Sequence, residues 1–474
     1  MKKIVTLSAV AFLSTMAFAD AETQKQIDEL KQKIEQLEKT NKAQDAKISK
    51  VNAQSAMDNI KFDVDFRTSY DNLQYETVNG NKYENDALYT NRLWLGMGYA
   101  PTANMMFKGQ LSFNKAFGAS YRQRGTGMGF DTFDWVLNEN LTDDTIKLRE
   151  AYWLWSFDTD KIGWTVSAGR RPATNGYLIN LRDDDQAKSP MGHIINMEFD
   201  GASVAMKLDK YISGMYFKLC LGRGLTNATG WASEANTYLA GAGGATIPNY
   251  IDDSQNLDNV DMVGMIFQPY DNGQYSVMTK WYRGFNVPGL SMTAPATAIM
   301  KSFGDMDGAA ISLKTDGVGD GINDFLDETV VFASFAASKT RPNESQPMLG
   351  SPDDETGTSF WLGAQMPNLT GGKFGLEYNH GSKYWRPFTY GEDTMIGSKM
   401  AVRGNAYEAY WTQPLIKDVF SMQIRYTYLD YEYTGSNAFF GDGGTPFSMS
   451  EAKAMGMDPV ETAQDIRVYF RYRY

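Results

Sequence analysis

The sequence predicts an all-β fold, a transmembrane antiparallel barrel of about sixteen strands, with a short α-helical coiled coil before it. Three observations carry this. The stretch Gln464–Tyr474 places Ile466, Val468, Phe470, Tyr472 and Tyr474 on every second position, with Asp465, Arg467, Tyr469, Arg471 and Arg473 between them. Side chains of a strand alternate faces, so one face is apolar and aromatic and the other mostly charged. In a barrel the first face meets lipid, the second a wet lumen, and the aromatic end an interface girdle. The connections between such stretches alternate short and long. Finally, no apolar run reaches the ~20 residues of a spanning helix, apart from one at the N-terminus.

That N-terminal run reads as a secretory leader over 1–19. Lys2 and Lys3 form its basic end, Ile4–Met16 its apolar core, and Ala17-Phe18-Ala19 a small-x-small cleavage site. Without it the chain holds 43 Lys and Arg against 57 Asp and Glu, a net charge of −14. An acidic exported protein is a poor match for nucleic acid. Cys220 is the only cysteine, so no internal disulfide can form; it is expected to be a small strand residue.

Residues 20–59 hold no Gly, Pro or aromatic residue. Ile27, Leu30, Ile34, Leu37, Asn41, Gln44, Ile48 and Val51 recur at spacings of 3 and 4, the heptad rule of a coiled coil. A rod of this kind needs partner copies, so a homo-oligomer is expected. Ile at a with Leu at d, and Asn41 at an a position, lean toward a dimer.

From residue 60 the period becomes two. Strands are expected at Ile60–Asn72, Tyr89–Tyr99, Asn104–Lys115, Ile146–Phe157, Ile162–Arg171, Ala202–Leu208, Tyr211–Gly222 and Val260–Gln268. They continue at Gln274–Phe285, a short one near Ala309–Thr315, Thr329–Lys339, Thr358–Met366, Lys373–Lys383, Val402–Gln413, Val419–Tyr433 and Gln464–Tyr474. Short turns rich in Gly, Pro, Asn and Asp fall at 100–103, 158–161, 209–210, 269–273, 367–372 and 414–418. Long loops are expected at 73–88, 116–145, 172–201, 223–259, 286–308, 340–357, 384–401 and 434–463. Short turns on one side and long loops on the other are the mark of an outer-membrane barrel. An even strand count puts both ends of residues 60–474 on the periplasmic side, where the rod would stand.

In this architecture the chain resembles Gram-negative trimeric porins, and the rod before the barrel is similar to that of some specific anion porins. It also resembles an outer-membrane family of similar length, classed as a domain of unknown function. Gly169-Arg170-Arg171-Pro172, where the fifth strand enters the third long loop, is similar to porin sequences. The resemblance implies an outer-membrane trimer despite the dimeric lean of the heptads, and a third loop folded inward as a constriction. It further implies passive passage of small hydrophilic solutes or ions, with peptidoglycan a possible contact of the rod.

Channel selectivity rests on pore width and on the charged groups lining it. Loop 172–201 carries Asp183, Asp184 and Asp185 in a row. Three adjacent acids need basic neighbours or full solvation. One reading places them against a basic wall, so that solutes cross a transverse field; the other leaves them as a solvated run. Strand parity puts Lys61, Arg67, Arg92, Lys108, Lys207, Lys218, Lys280, Lys314, Lys373, Arg425, Arg467, Arg471 and Arg473 on the inner face. The acids there are Asp63, Asp65, Glu377, Glu408 and Asp465, so thirteen bases face five acids. A basic lumen leaning toward anions follows as the expectation. The run Asp316 to Glu328, with Asp316, Asp320, Asp324 and Asp327, partly fits a calcium loop, but Val318 and Asn323 break the pattern and a turn explains it as well. No cofactor is expected. The two histidines, His193 and His380, lie far apart, and no phosphate loop or zinc spacing occurs, so an enzyme is not expected. Two other classes stay open, a structural anchor built on a plugged barrel and a secreted β-rich binding protein.

Overall fold

A computed structural model describes residues 60–117, 141, 145–160, 162–171, 173–228, 250–252, 257–294, 297–319, 321–344, 346–389, 394–436 and 440–474. The leader over 1–19 and the heptads over 20–59 lie outside these residues. One compact unit comprises Lys61–Gly98 and Asn104–Tyr474. Of the other unit, Met1–Ile60 with Tyr99–Ala103, the described part is Ile60 and the end of a strand with its turn.

The strands are β1 (Lys61–Thr77), β2 (Lys82–Thr102), β3 (Met105–Ala116), β4 (Lys147–Thr159), β5 (Ile162–Arg171), β6 (Phe199–Lys207), β7 (Tyr216–Leu225) and β8 (Val260–Asp271). Then follow β9 (Tyr275–Ala294), β10 (Thr297–Asp316), β11 (Val330–Pro342), β12 (Thr356–Pro367), β13 (Lys373–Gly381), β14 (Gly404–Ile416), β15 (Phe420–Tyr431) and β16 (Val460–Arg473). Each pairs with its neighbours in sequence, and β1 pairs antiparallel with β16 from Asp65↔Arg473 to Thr77↔Val460. The sheet is therefore a closed 16-strand antiparallel barrel. A seventeenth, two-residue strand, Phe440–Gly441, lies parallel to Gly289–Leu290 of β9. Closure gives every barrel strand two partners and leaves no edge, as lipid demands.

The period-two pattern decides which face is which. On β11, Phe332, Ser334, Ala336 and Ser338 are buried, while Val331 and Phe335 point out. Leu219, Met265, Ile311, Leu362, Leu376, Ile424, Ile466 and Phe470 likewise stand exposed on the outer face. Water would not tolerate a belt of that extent, and bilayer hydrocarbon would welcome it. No described helix is long and apolar enough to cross a membrane.

Three connections differ from expectation. Residues 73–88 were expected as a loop, but β1 and β2 pair up to Glu76↔Lys82. The turn is only Val78–Asn81, closed by Gly80 at φ 83 and by the Asp458 carboxylate, which accepts from Asn79 N and Asn81 Nδ2. Residues 286–308 also form strand, since β9 and β10 run on as a 20-residue pair, and Ala309–Thr315 is only the end of β10. Pro288 and Gly289 look like breakers, yet they lie where register shifts follow Gly284 and Val287. There the ladder is already irregular, and a missing N–H costs little. Within 434–463 a helix forms at Met449–Ala454 on a Ser448/Glu451 capping box, and β16 starts earlier than expected, at Val460.

Placing a guanidinium on the outer belt should destabilise the barrel. Leu362→Arg is expected to cost about 2–4 kcal/mol if it lies near the bilayer midplane. Leu369→Arg, at a fully exposed turn position, should cost nothing measurable. The midpoint of heat-modifiable migration in detergent checks both.

Candidate functional site

The third long loop enters the barrel. Its segments Gly176–Tyr177 and Lys188–Met191 pair in parallel around the short helix Ile179–Arg182. Leu178, Ile179, Met191, Ile194 and Met197 are almost fully buried. They join Met278, Tyr282, Phe332, Trp361, Trp385, Phe388 and Met400 in one apolar cluster. The loop 384–401 meets it there: Asn196 N donates to Phe388 O at 2.7 Å and Phe388 N to Ile194 O at 3.0 Å. On the side of β9–β12 the lumen is thus a packed core. The helix-end carbonyls of Leu181 and Arg182 accept from Gln365 Nε2 of β12 (2.7 Å) and Gln423 Nε2 of β15 (2.8 Å). Acceptors that a helix C-terminus leaves orphaned are satisfied by the wall.

Asp183, Asp184 and Asp185 reach the wall directly. Arg471 Nη2 lies 2.9 Å from Asp185 Oδ1, and Arg473 Nη1 lies 3.0 Å from the same oxygen. Arg471 also donates to Asp183 O at 2.8 Å and pairs with Asp65 of β1. Tyr469 Oη donates to Asp183 Oδ1 at 3.3 Å, and Lys373 of β13 pairs with Asp184. Arg92 in turn lies 3.4 Å from Asp65. Arg67 sits over the Tyr469 ring at 5.2 Å.

Glu377 and Glu408 face each other across β13 and β14. Two buried carboxylates side by side repel, and cations answer them. Lys399, from the loop 384–401, lies 2.7 Å from Glu377 Oε2 and also pairs with Glu408. Arg182 Nη1 lies 3.4 Å from Glu408, and Arg425 Nε 4.0 Å. Trp361 Nε1 donates to Glu377 at 3.0 Å and Thr427 Oγ1 to Glu408 at 2.9 Å. A third group holds the far end of the loop, where Glu198 takes Arg149 Nε at 3.1 Å and Arg170 Nη2 at 3.0 Å. The Arg149 and Arg92 guanidinium carbons lie 4.1 and 3.6 Å from the centroid of the Trp94 ring. Beside it lies an opening of ≈ 360 Å³ lined by Asp63, Gln110, Arg149, Asp185, Lys188, Arg471 and Arg473.

Of the residues expected on the wall, Arg67, Arg92, Lys218, Lys280, Arg425, Glu377 and Glu408 are buried inside the barrel, and Lys108 is exposed. Parity did not reveal Arg149, Glu150, Glu198, Arg182 or Lys399. The first two are adjacent yet both buried, because the β3–β4 ladder shifts register at Gln110/Leu111. The others belong to loops, which have no period. Arg170 is read in the sequence together with Arg171, within the Gly-Arg-Arg-Pro run, and Arg182 and Glu198 only as charges of the third loop. For the calcium candidate, Asp320 lies outside the described residues. Asp327 Oδ1 accepts from Gly321 N, and Asp324 and Asp327 sit in a short helix capped by Asn323. Among the described residues no cluster of three His, Cys, Asp or Glu could hold a metal.

His193 pins the loop to the wall. Its Nδ1 is 2.8 Å from Ser334 Oγ and its Nε2 2.9 Å from Ser359 Oγ. Burial pushes its pKa down to about 3, so it is neutral at pH 7. The folded value lies below the unfolded ~6.5. Its contribution is then complete above pH 6.5 and lost as pH falls toward 3, by about 1.4 kcal/mol per unit. Proteolysis of the loop should rise between pH 6.5 and 4, and His193→Gln should flatten that rise. Arg471→Met leaves Asp65 and Asp185 short of their shared cation and should cost about 3–5 kcal/mol, seen as a lower heat-modification midpoint.

A family model described as "Protein of unknown function (DUF3373)" matches residues 82–474. No curated protein matches the chain. Among solved structures it is similar to OmpF of Salmonella typhi in complex with daunomycin (11% identity, TM-score 0.45, 87% of this chain and 98% of that one). It is similar also to an anion-selective porin from Comamonas acidovorans (11%, 0.45, 88% and 99%). The trimer form of OmpT, an outer membrane protein of Vibrio cholerae, is a third (10%, 0.43, 88% and 99%). At this distance, what those proteins carry or bind does not pass to this chain.

Proposed function

The chain belongs to the DUF3373 family, and we propose that this member is an outer-membrane porin through which small hydrophilic solutes diffuse passively, with a lean toward anions. One observation carries the reading: a closed barrel with an apolar outer belt has a charged inner face on which bases outnumber acids. The belt opposes a soluble secreted binding protein. The route runs beside β1–β4 and β16, where the opening next to Trp94 lies, and not through the packed side. Asp183, Asp184 and Asp185 form the loop side of the constriction, and Arg67, Arg92, Lys108, Lys218, Lys280, Arg425, Glu377 and Glu408 line the wall. The acids stand in contact with Arg471, Arg473 and Lys373, so they cancel part of the wall's charge and hold the loop in place. The barrel is a homotrimer, with heptads 20–59 as a periplasmic rod that reaches toward peptidoglycan. Calcium at Asp316, Asp320, Asp324 and Asp327 is no part of this function.

A second reading, a plugged barrel serving as a structural anchor, is favoured by the apolar packing of loops 173–198 and 384–401 inside the wall. Planar bilayer recording separates the two. The porin gives discrete conductance steps and, in a KCl gradient, a reversal potential on the anion side; a silent bilayer favours the anchor. Arg473→Glu should move the reversal potential toward cations, and strong cation preference in the native protein would sink the anion lean.

A further inference from the structure

Where the fifth to ninth strands meet the inward loop, the lumen wall encloses a second cavity of ≈ 80 Å³. That is room for several waters or one small oxyanion. Among the described residues its polar lining is one-sided: Arg171, Lys218 and Lys280, with Ser189, Ser203 and Tyr282, and no carboxylate. The register explains the grouping. Lys218 of β7 pairs with Ile266 of β8, which pairs with Lys280 of β9, so the two lysines share one row. At about 4.8 Å per strand their backbones stand roughly 10 Å apart. In the next row Cys220, Gly264 and Tyr282 align, and Gly264 leaves the space that a side chain would fill.

Among the described residues, the cations of this cavity lack a counter-charge. Lys280 is only 8% exposed and, among the described residues, makes no hydrogen bond or ion pair. Arg171 Nη1 is buried with no hydrogen-bond partner among the described residues. Lys218 Nζ donates to Ser189 Oγ at 2.7 Å, a neutral group. The nearby acids are already engaged, Glu150 by Lys188 and Glu198 by Arg149 and Arg170. Buried cations of one sign, beside idle donors and without a counter-charge, either shed protons or take up an anion. Idle donors converging from several elements favour the anion.

We propose that this cavity is a binding site for a small oxyanion of the phosphate or sulfate class. Arg171 presents its fork, Lys218 and Lys280 supply point charges, and the hydroxyl of Ser203 donates. The cavity is lined by inward-facing strand residues and by Ser189, Pro190 and Ile195 of the inward loop, so the anion is a free solute and not a lipid headgroup. The site deepens the anion lean of the porin reading and rests on it only for the route of entry; binding itself needs no conduction.

The test is calorimetric titration of inorganic phosphate into the full chain in detergent, with sulfate as competitor. One saturable site per chain is expected. Lys280→Met and Lys218→Met should each weaken it at least tenfold, while Lys280→Arg should retain it. Lys453→Met, on an exposed loop helix, should leave it unchanged. Each variant must keep heat-modifiable migration; if Lys280→Met loses it, Lys280→Arg and Lys218→Met carry the comparison. Absence of saturable binding, or binding indifferent to Lys218 and Lys280, overturns the proposal. Bilayer conductance on the same proteins keeps the two ideas apart. Phosphate binding in a silent barrel supports the site and refutes the porin, and a conducting barrel that ignores phosphate does the reverse.

Discussion

The pairing of β1 with β16 is the constraint on which the rest depends. Hydrocarbon offers no hydrogen bonds, so each strand's amides and carbonyls must find partners within the protein. Fifteen hairpin-type neighbours would still leave two open edges. Residues 65–77 of β1 remove both by pairing with β16. The same seam carries buried side-chain pairs, Asp65 with Arg471 and Asp71 with Arg467. Such pairs roughly break even against the cost of leaving water. Their value here is positional, since they select one register among those that backbone pairing alone would allow.

The seam's arginines also serve the loop. Arg471 bridges Asp65 on the wall and Asp183 and Asp185 on the loop, so one guanidinium fixes both barrel closure and the loop's depth. Opposite it, Glu377 and Glu408 gather Lys399, Arg182 and Arg425, tying two loops and two strands together. His193 adds a neutral tether to Ser334 and Ser359. Loop position is thus set by several independent contacts at different points of the circumference. The packed apolar side keeps the loop from drifting across.

Much of the barrel was legible in the sequence because a strand's faces alternate with a fixed period of two. Each of the sixteen expected strands has a counterpart, although the one expected at Tyr211–Gly222 begins only at Tyr216, after a turn over 208–215, and the one near Ala309–Thr315 is the end of a longer strand; Arg67, Arg92, Glu377, Glu408 and Arg425 are buried. Strand ends were less legible. Pro288-Gly289 and Asn79-Gly80 signal a break or a turn, but not how far pairing continues around it. The loop partners were illegible for another reason. Arg182 meets Glu408 across 226 residues, and Arg471 meets Asp185 across 286. Nothing local encodes such meetings. They follow from the angle at which the loop leaves β5, and from bulges such as Gln110/Leu111 that turn two adjacent side chains inward.

The seam has a kinetic consequence. Asp71 and Arg467 stand 396 positions apart, so the contact that seals the cylinder is among the most distant the chain can make. Loop-closure entropy makes contacts of that span slow to form. Until the final strand arrives, the growing sheet has two bare margins, each able to capture a neighbour's strand instead. A molecule with this topology needs escort until the moment it shuts, and its last dozen residues act as the latch.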